Sequence, residues 1–273
     1  MTMADGSPIP ARPLVRLKGI RKVFSNGTEA IRGLDLDIHP GEFISLLGPS
    51  GCGKSTALRM IAGLGEASEG EIEWPTAMYD SSGKPEREIG FVFQEPTLMP
   101  WATVFDNVAL PFTLKDRPKG EVPDRVAEAL KMVGLERFAK SYPRELSGGM
   151  KMRVSIARAL VMRPKVLLMD EPFAALDEIT RFKLNNDLLE LWNKQRWTVV
   201  FVTHSVYESV YLSTRIVVMA ARPGRIVGEL GVDAGYPRGT AFRTSQPYND
   251  ACRRVSELLD DAMAANPAGV EEH

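Results

Sequence analysis

Apolar positions along the chain follow two different patterns. Phe43-Ile44-Ser45-Leu46-Leu47, Val166-Leu167-Leu168-Met169 and Thr198-Val199-Val200-Phe201-Val202 are short, nearly unbroken apolar runs, as strands covered on both faces of a parallel sheet require. Leu34, Leu36 and Ile38 instead alternate with Asp35, Asp37 and His39, the period of a strand with one wet face. Leu14 to Phe24 and Glu71 to Trp74 read as further strands, and Arg222-Pro223-Gly224 joins a pair at Ile216 to Met219 and Arg225 to Leu230. Helical spacing appears at Ala57, Leu58, Ile61, Ala62 and Leu64. It recurs at Val126, Ala129, Leu130 and Val133, with Pro123 near the start and Gly134 just past the end. A helix from about Met150 to Met162 stops before Pro164. Phe182, Leu188, Leu189, Leu191 and Trp192 suit a helix packed on a sheet, Val206, Tyr207, Val210 and Tyr211 another, and Asn249 to Met263 an amphipathic one.

The order of these elements predicts one α/β domain over residues 14–234, with a mostly helical insertion at about 95–163. A proline-bearing arm, residues 1–13, precedes it. An extension, residues 235–273, follows it, irregular but for one helix; it braces a dimer, serves regulation or is a passive tail. At 273 residues and 44% hydrophobic, the chain has ample material for a core. Its 34 basic and 35 acidic residues leave a net charge of −1, which argues against a broad electrostatic footprint for nucleic acid or anionic lipid. No apolar run approaches the ~18 residues of a membrane span, and the first ten residues lack the basic-then-apolar order of a secretory signal. The expectation is a cytosolic protein whose link to a membrane comes through a partner. Two cysteines, Cys52 and Cys252, are too few for a disulfide framework.

The chemistry begins at GPSGCGKST: Gly48, Pro49, Ser50, Gly51, Cys52, Gly53, Lys54, Ser55 and Thr56. Glycines let a loop curl so that successive N–H groups face phosphate oxygens, a lysine supplies positive charge to the β- and γ-phosphates, and a serine hydroxyl can bind Mg²⁺. The strand before the loop and the helix after it are the context this motif needs. Cys52 reads as small filler within the loop. Asp170-Glu171 closes the Val166 strand. Buried carboxylates there are expensive unless bonded or bound to metal, so Asp170 reads as a Mg²⁺ ligand, directly or through water, and Glu171 as the group that polarises an attacking water. Ser147-Gly148-Gly149 opens the Met150 helix, either as a second anion site made of exposed N–H groups or as simple capping. One nucleotide has one γ-phosphate, so a second such site points to a nucleotide held by another copy, in a head-to-tail dimer.

In this order the motifs resemble those of the ATP-binding subunit of an ABC transporter, over about Leu14 to Leu230. The phosphate loop, Gln94 after Phe91-Val92-Phe93, Leu146-Ser147-Gly148-Gly149-Met150, Val166 to Glu171, Ala175-Leu176-Asp177 and His204 match its six signatures. The resemblance implies a P-loop NTPase fold with a RecA-like mixed-sheet core, an antiparallel β subdomain and a helical subdomain. It implies that Gln94 touches Mg²⁺ or the attacking water and couples to a membrane subunit, and that Ser147 and Gly149 close over ATP bound to a second copy. Asp177 would cross the dimer seam, and His204 would contact the γ-phosphate and help hold Glu171. Phe24 stands where an adenine-stacking tyrosine is usual; it either stacks or belongs to the core. Met150 and Lys151-Met152 depart from the commoner glutamine and Arg-Gln, without removing a phosphate donor.

Leu98, Met99, Pro100 and Trp101 after Gln94, with Thr103-Val104 and Asn107-Val108, are similar to ATPases of nitrate, sulfonate and taurine importers, as is Pro172 to Asp177 followed by Thr180-Arg181. The apolar group Leu98, Met99 and Trp101 either receives a short helix of a transmembrane permease subunit, is buried in the helical subdomain, or both. The implied function is ATP hydrolysis at the cytoplasmic face of the inner membrane. It would be coupled to import of a small solute through permease subunits and a periplasmic or extracellular solute-binding protein, with no nucleic acid. The alternatives are an ABC ATPase working on DNA or ribosomes, whose coiled-coil insertions, fused second domain or basic segments are missing here, and a regulator that binds ATP without turnover.

Overall fold

The computed structural model describes residues 12–79, 85–114 and 119–264; most of the predicted N-terminal arm and the last nine residues of the extension lie outside them. The strands among the described residues are β1 (Val15–Val23), β2 (Glu29–Ile38), β3 (Phe43–Leu47), β4 (Glu69–Glu73), β5 (Ile89–Val92), β6 (Val166–Asp170), β7 (Thr198–Thr203), β8 (Arg215–Ala220) and β9 (Arg225–Gly231). The helices are α1 (Lys54–Ala62), α2 (Val104–Leu114), α3 (Val122–Met132), α4 (Gly148–Leu160), α5 (Glu178–Gln195), α6 (Val206–Leu212), α7 (Thr240–Arg243) and α8 (Gln246–Ala264). One sheet runs β5-β6-β7-β3-β8-β9, parallel except for β9; the other is antiparallel, β2-β1-β4. The mixed core sheet, antiparallel β unit and helical unit match the expected fold.

The unbroken apolar runs of β3, β6 and β7 are buried at every position, as strands covered on both sides must be. Their side chains alternate between two cores. Phe43, Leu167, Met169, Val199 and Phe201 pack under α2 to α6 and α8. Ile44, Leu46, Leu168, Val200 and Val202 pack against α1 and the antiparallel sheet. Buried Leu34, Leu36 and Ile38 supply the latter's dry face.

Three elements differ from the sequence pattern. β5 was not legible as a strand, since four residues carry too little periodicity, and its partner β6 holds it in register from Ile89 opposite Val166. β2 starts five residues before its apolar alternation because the ladder to β1 continues to Glu29. The stretch after Ala234 is packed rather than loose. Tyr236 donates its hydroxyl to Leu212 O and lies 4.7 Å from the Trp192 ring. Tyr248, Cys252 and Val255 of α8 join the main core. Arg238, 5% exposed, donates to five carbonyls: Val210, Tyr211, Ser213, Val232 and Ala234.

Candidate active site

The site lies at the C-terminal ends of adjacent parallel strands, where open α/β sheets receive ligands. The phosphate loop follows β3, the acidic pair closes β6, and His204 follows β7, which lies between those two strands. Glycine is required at two loop positions for different reasons. A Cβ on Gly48 would sit 2.4 Å from Met219 O, and Gly53 has φ of 90° where it caps α1. Pro49 and Thr56 are partly buried and Ser50 and Gly51 exposed, so the rim faces outward. Lys54 is 4% exposed, and its Nζ donates to Gly48 O at 2.7 Å and Pro49 O at 2.9 Å, which holds its charge inside the curl of the loop.

Cys52 is fully buried beneath the loop, and burial pushes its thiol up from the ordinary range; Cys252 shares both features to a lesser degree. The thiolate is the reactive form. We therefore expect both cysteines to resist iodoacetamide at neutral pH in the folded protein and to label readily once it is unfolded in guanidinium, as read by intact mass. Rapid labelling of the native chain would contradict the packing described for Cys52.

Ser55 donates its hydroxyl to Asp170 Oδ1 at 2.6 Å. Asp170 is 7% exposed; burial pushes its carboxyl up, partly countered by the Ser55 bond. A hydroxyl and a buried carboxylate touching one another form a hard-oxygen set that fits Mg²⁺, whose charge offsets the desolvation of Asp170. Among the described residues no three acidic, histidine or cysteine side chains converge to hold a metal, so phosphate oxygens and water would complete the coordination.

Glu171 has φ of +45°, a left-handed conformation uncommon outside glycine. Its N–H donates to Val202 O on the next strand at 3.1 Å, which fixes that turn. His204 Nδ1 then lies 3.5 Å from Glu171 Oε2. Gln94 is exposed, two residues past β5. Arg158 of α4 ties down the segment after it, donating to Pro96 O and Thr97 O. Nothing in the sequence pattern singles that arginine out.

Ser147, Gly148 and Gly149 form a second group. Ser147 Oγ caps α4 by accepting Met150 N–H, and Asp177 Oδ1 caps α5 by accepting Thr180 N–H at 3.0 Å, a bond that holds its carboxyl below the usual range. A Cβ on Gly149 would come within 2.7 Å of Thr180 Cγ2, so the starts of α4 and α5 are pressed together. Phe24 closes the β1–β2 hairpin, where Gly27 N–H donates to its carbonyl. It is 44% exposed, which places the ring outside the core and leaves it able to stack. Of the apolar group after Gln94, Leu98 packs on the main core while Trp101 is 77% exposed.

The family model for the ABC transporter matches residues 31–174, more than half of the chain. The chain belongs to the ABC transporter family. An aliphatic sulfonates import ATP-binding protein of Bacillus cereus is 44% identical to this ABC ATPase over 251 residues, 90% of this chain and 96% of its own. An uncharacterized ABC transporter ATP-binding protein of Methanocaldococcus jannaschii is 44% identical over 91% of this chain and 92% of its own. A dimeric ATP-binding cassette solved in a post-hydrolysis state with ADP and Pi superposes with a TM-score of 0.67 at 36% identity, covering 81% of this chain and all of that one. Two residues of this ABC ATPase, Thr203 and Glu208, escaped sequence reasoning although they contact the His204 turn. The available signal was Ser205-x-x-Glu208, a capping-box spacing at the start of α6.

Proposed function

We propose that the chain is the ATP-hydrolysing subunit of an ABC importer for a small solute of the sulfonate type, working as a head-to-tail homodimer on permease subunits. The observation that carries this reading is the placing of Glu171 and His204 together at neighbouring strand ends, beside the Ser55–Asp170 contact under the phosphate loop. Phe24 offers its exposed ring to adenine, and the loop N–H groups with Lys54 hold the phosphates. Ser55 and Asp170 would hold Mg²⁺, with Gln94 nearby in the sheet order, and bound there it would supply charge neutralisation at the phosphates. Glu171 takes the proton of the attacking water as the water oxygen bonds to the γ-phosphorus and the bond from that phosphorus to the β–γ bridging oxygen breaks, ADP leaving with the electron pair. His204 fixes the Glu171 carboxylate and the γ-phosphate relative to each other, so the base meets the water in line.

Ser147, Gly148 and Gly149 face a nucleotide on the second copy, with Asp177 at the seam beside them. Trp101, with Met99, receives an apolar segment of the permease. No helix of the described residues is long and apolar enough to cross a membrane, and a peripheral place at the cytoplasmic face, with a solute-binding protein acting through the permease, follows from coupling to such subunits.

Sedimentation velocity tests the shared site. In a Glu171→Gln background, ATP with Mg²⁺ converts the chain from monomer to dimer, while adding Ser147→Arg leaves it monomeric with ATP binding retained. A Ser147→Arg chain that still dimerises on ATP would overturn the head-to-tail arrangement.

A further inference from the structure

His204 sits between two residues that both bond Glu208, Thr203 through its carboxyl group and Ser205 through its backbone N–H. Thr203, 2% exposed at the end of β7, donates its hydroxyl to Glu208 Oε2 at 2.6 Å. The same hydroxyl accepts the Ser205 N–H at 3.0 Å. Ser205 Oγ in turn accepts the Glu208 N–H as the cap of α6. The turn 203–205 is thus closed by its bonds to the first turn of α6. The other carboxyl oxygen, Glu208 Oε1, accepts Nδ2 of Asn185 at 3.1 Å. Asn185 is 4% exposed and lies two turns along α5 from Asp177. One buried glutamate therefore joins the turn carrying His204 to the helix that begins at the dimer-seam aspartate.

We infer that Glu208 is a positioning residue for ATP hydrolysis: with Thr203 and Asn185 it sets where the His204 ring stands and ties that position to the helix starting at Asp177. The inference rests on the proposed role of His204. Glu208 is 8% exposed, and a buried carboxyl group gains nothing as packing and is costly unless its bonds are made. Here both oxygens are spent on the His204 turn and on α5. A catalytic group displaced by about 1 Å loses on the order of a hundredfold in rate, so slackening this turn reaches turnover without touching the nucleotide.

The network has a chemical asymmetry that makes it testable. Asn185 Oδ1 has no hydrogen-bond partner among the described residues. If Glu208 becomes glutamine, the Asn185 amide can turn over and present that oxygen to the new Nε2–H, while Gln Oε1 still accepts from Thr203. Leucine at 208, or valine at 203, offers no such repair.

The test is steady-state ATPase activity of the full chain, with thermal melting as a control for folding. Thr203→Val, nearly the same in volume, should lower kcat at least about fivefold while KM for ATP stays within about twofold. Thr203→Ser should recover most of that loss, and Glu208→Gln most of the loss caused by Glu208→Leu. The double variant Thr203→Val, His204→Ala should be no slower than His204→Ala alone, because Thr203 acts through the histidine. Wild-type kcat in Thr203→Val, no recovery in Thr203→Ser, or losses that multiply in the double variant would overturn the inference. Wild-type turnover in His204→Ala would overturn the role of His204 itself, and this inference with it.

Discussion

Replacing Glu171 by glutamine abolishes steady-state ATP hydrolysis while leaving ATP bound. The substitution keeps the size of the side chain and removes only its ability to take a proton, a contribution of about 10²–10⁴ in rate. The phosphate cradle is untouched: Lys54 stays folded into the loop, and Ser55 still meets Asp170. The affinity for ATP should then remain within about threefold, since uniform binding and base catalysis are separable. Radiolabelled ATP retention alongside phosphate release measures both quantities. Phosphate release at more than about a tenth of the wild-type rate would remove Glu171 from the role of base. Glu171→Ala is a poorer probe, because the left-handed turn at this position (φ +45°) responds to the residue type as well.

The second large effect is on stability. Arg238→Ala should lower the melting temperature steeply. Its guanidinium is nearly buried and meets no carboxylate among the described residues; it donates instead to the last carbonyls around α6 and to Val232 and Ala234. Helix C-terminal carbonyls have no partner within the helix, so truncation leaves several of them dry and unbonded at about 1–3 kcal/mol each. Burial holds this guanidinium below its ordinary pKa, so part of that cost is offset by no longer desolvating a cation. A net loss of about 3–5 kcal/mol corresponds to roughly 10 °C in melting temperature for a chain of this size. The Tyr236 and Phe242 rings, 4.1 and 5.0 Å from the guanidinium, lose their cation as well. Arg238→Lys should fall between, its single ammonium reaching fewer of the five oxygens. A melting temperature within about 2 °C of the parent would show that the extension does not depend on this anchor.

The sequence disclosed the parts of the molecule that repeat a local rule. Val166 to Met169 and Thr198 to Val202 read as covered strands, and the residue types of the phosphate loop declare their chemistry. What stayed hidden depends on contacts between distant segments. Arg238 stands in an unremarkable polar stretch, and its five acceptors come from α6, from the turn after it and from the chain beyond β9. The sequence pattern suits Phe24 to core or surface alike, and the hairpin places it outside. Leu98 and Trp101, three residues apart with similar apolar character, part company: one packs inward and the other points to solvent. Glu208, a glutamate on an apolar helix, has the pattern of a surface residue, whereas its oxygens meet Thr203 and Asn185.

The exposure of Trp101 has a practical consequence. Trp74 and Trp192 are buried and Trp197 is partly covered, so Trp101 alone among the four tryptophans stands mostly in water. Indole emission moves to the blue and becomes shielded from iodide when the ring enters an apolar contact. The subunit therefore carries an intrinsic optical reporter at the surface proposed to meet the permease, and its assembly into a transporter can be followed without attaching a dye.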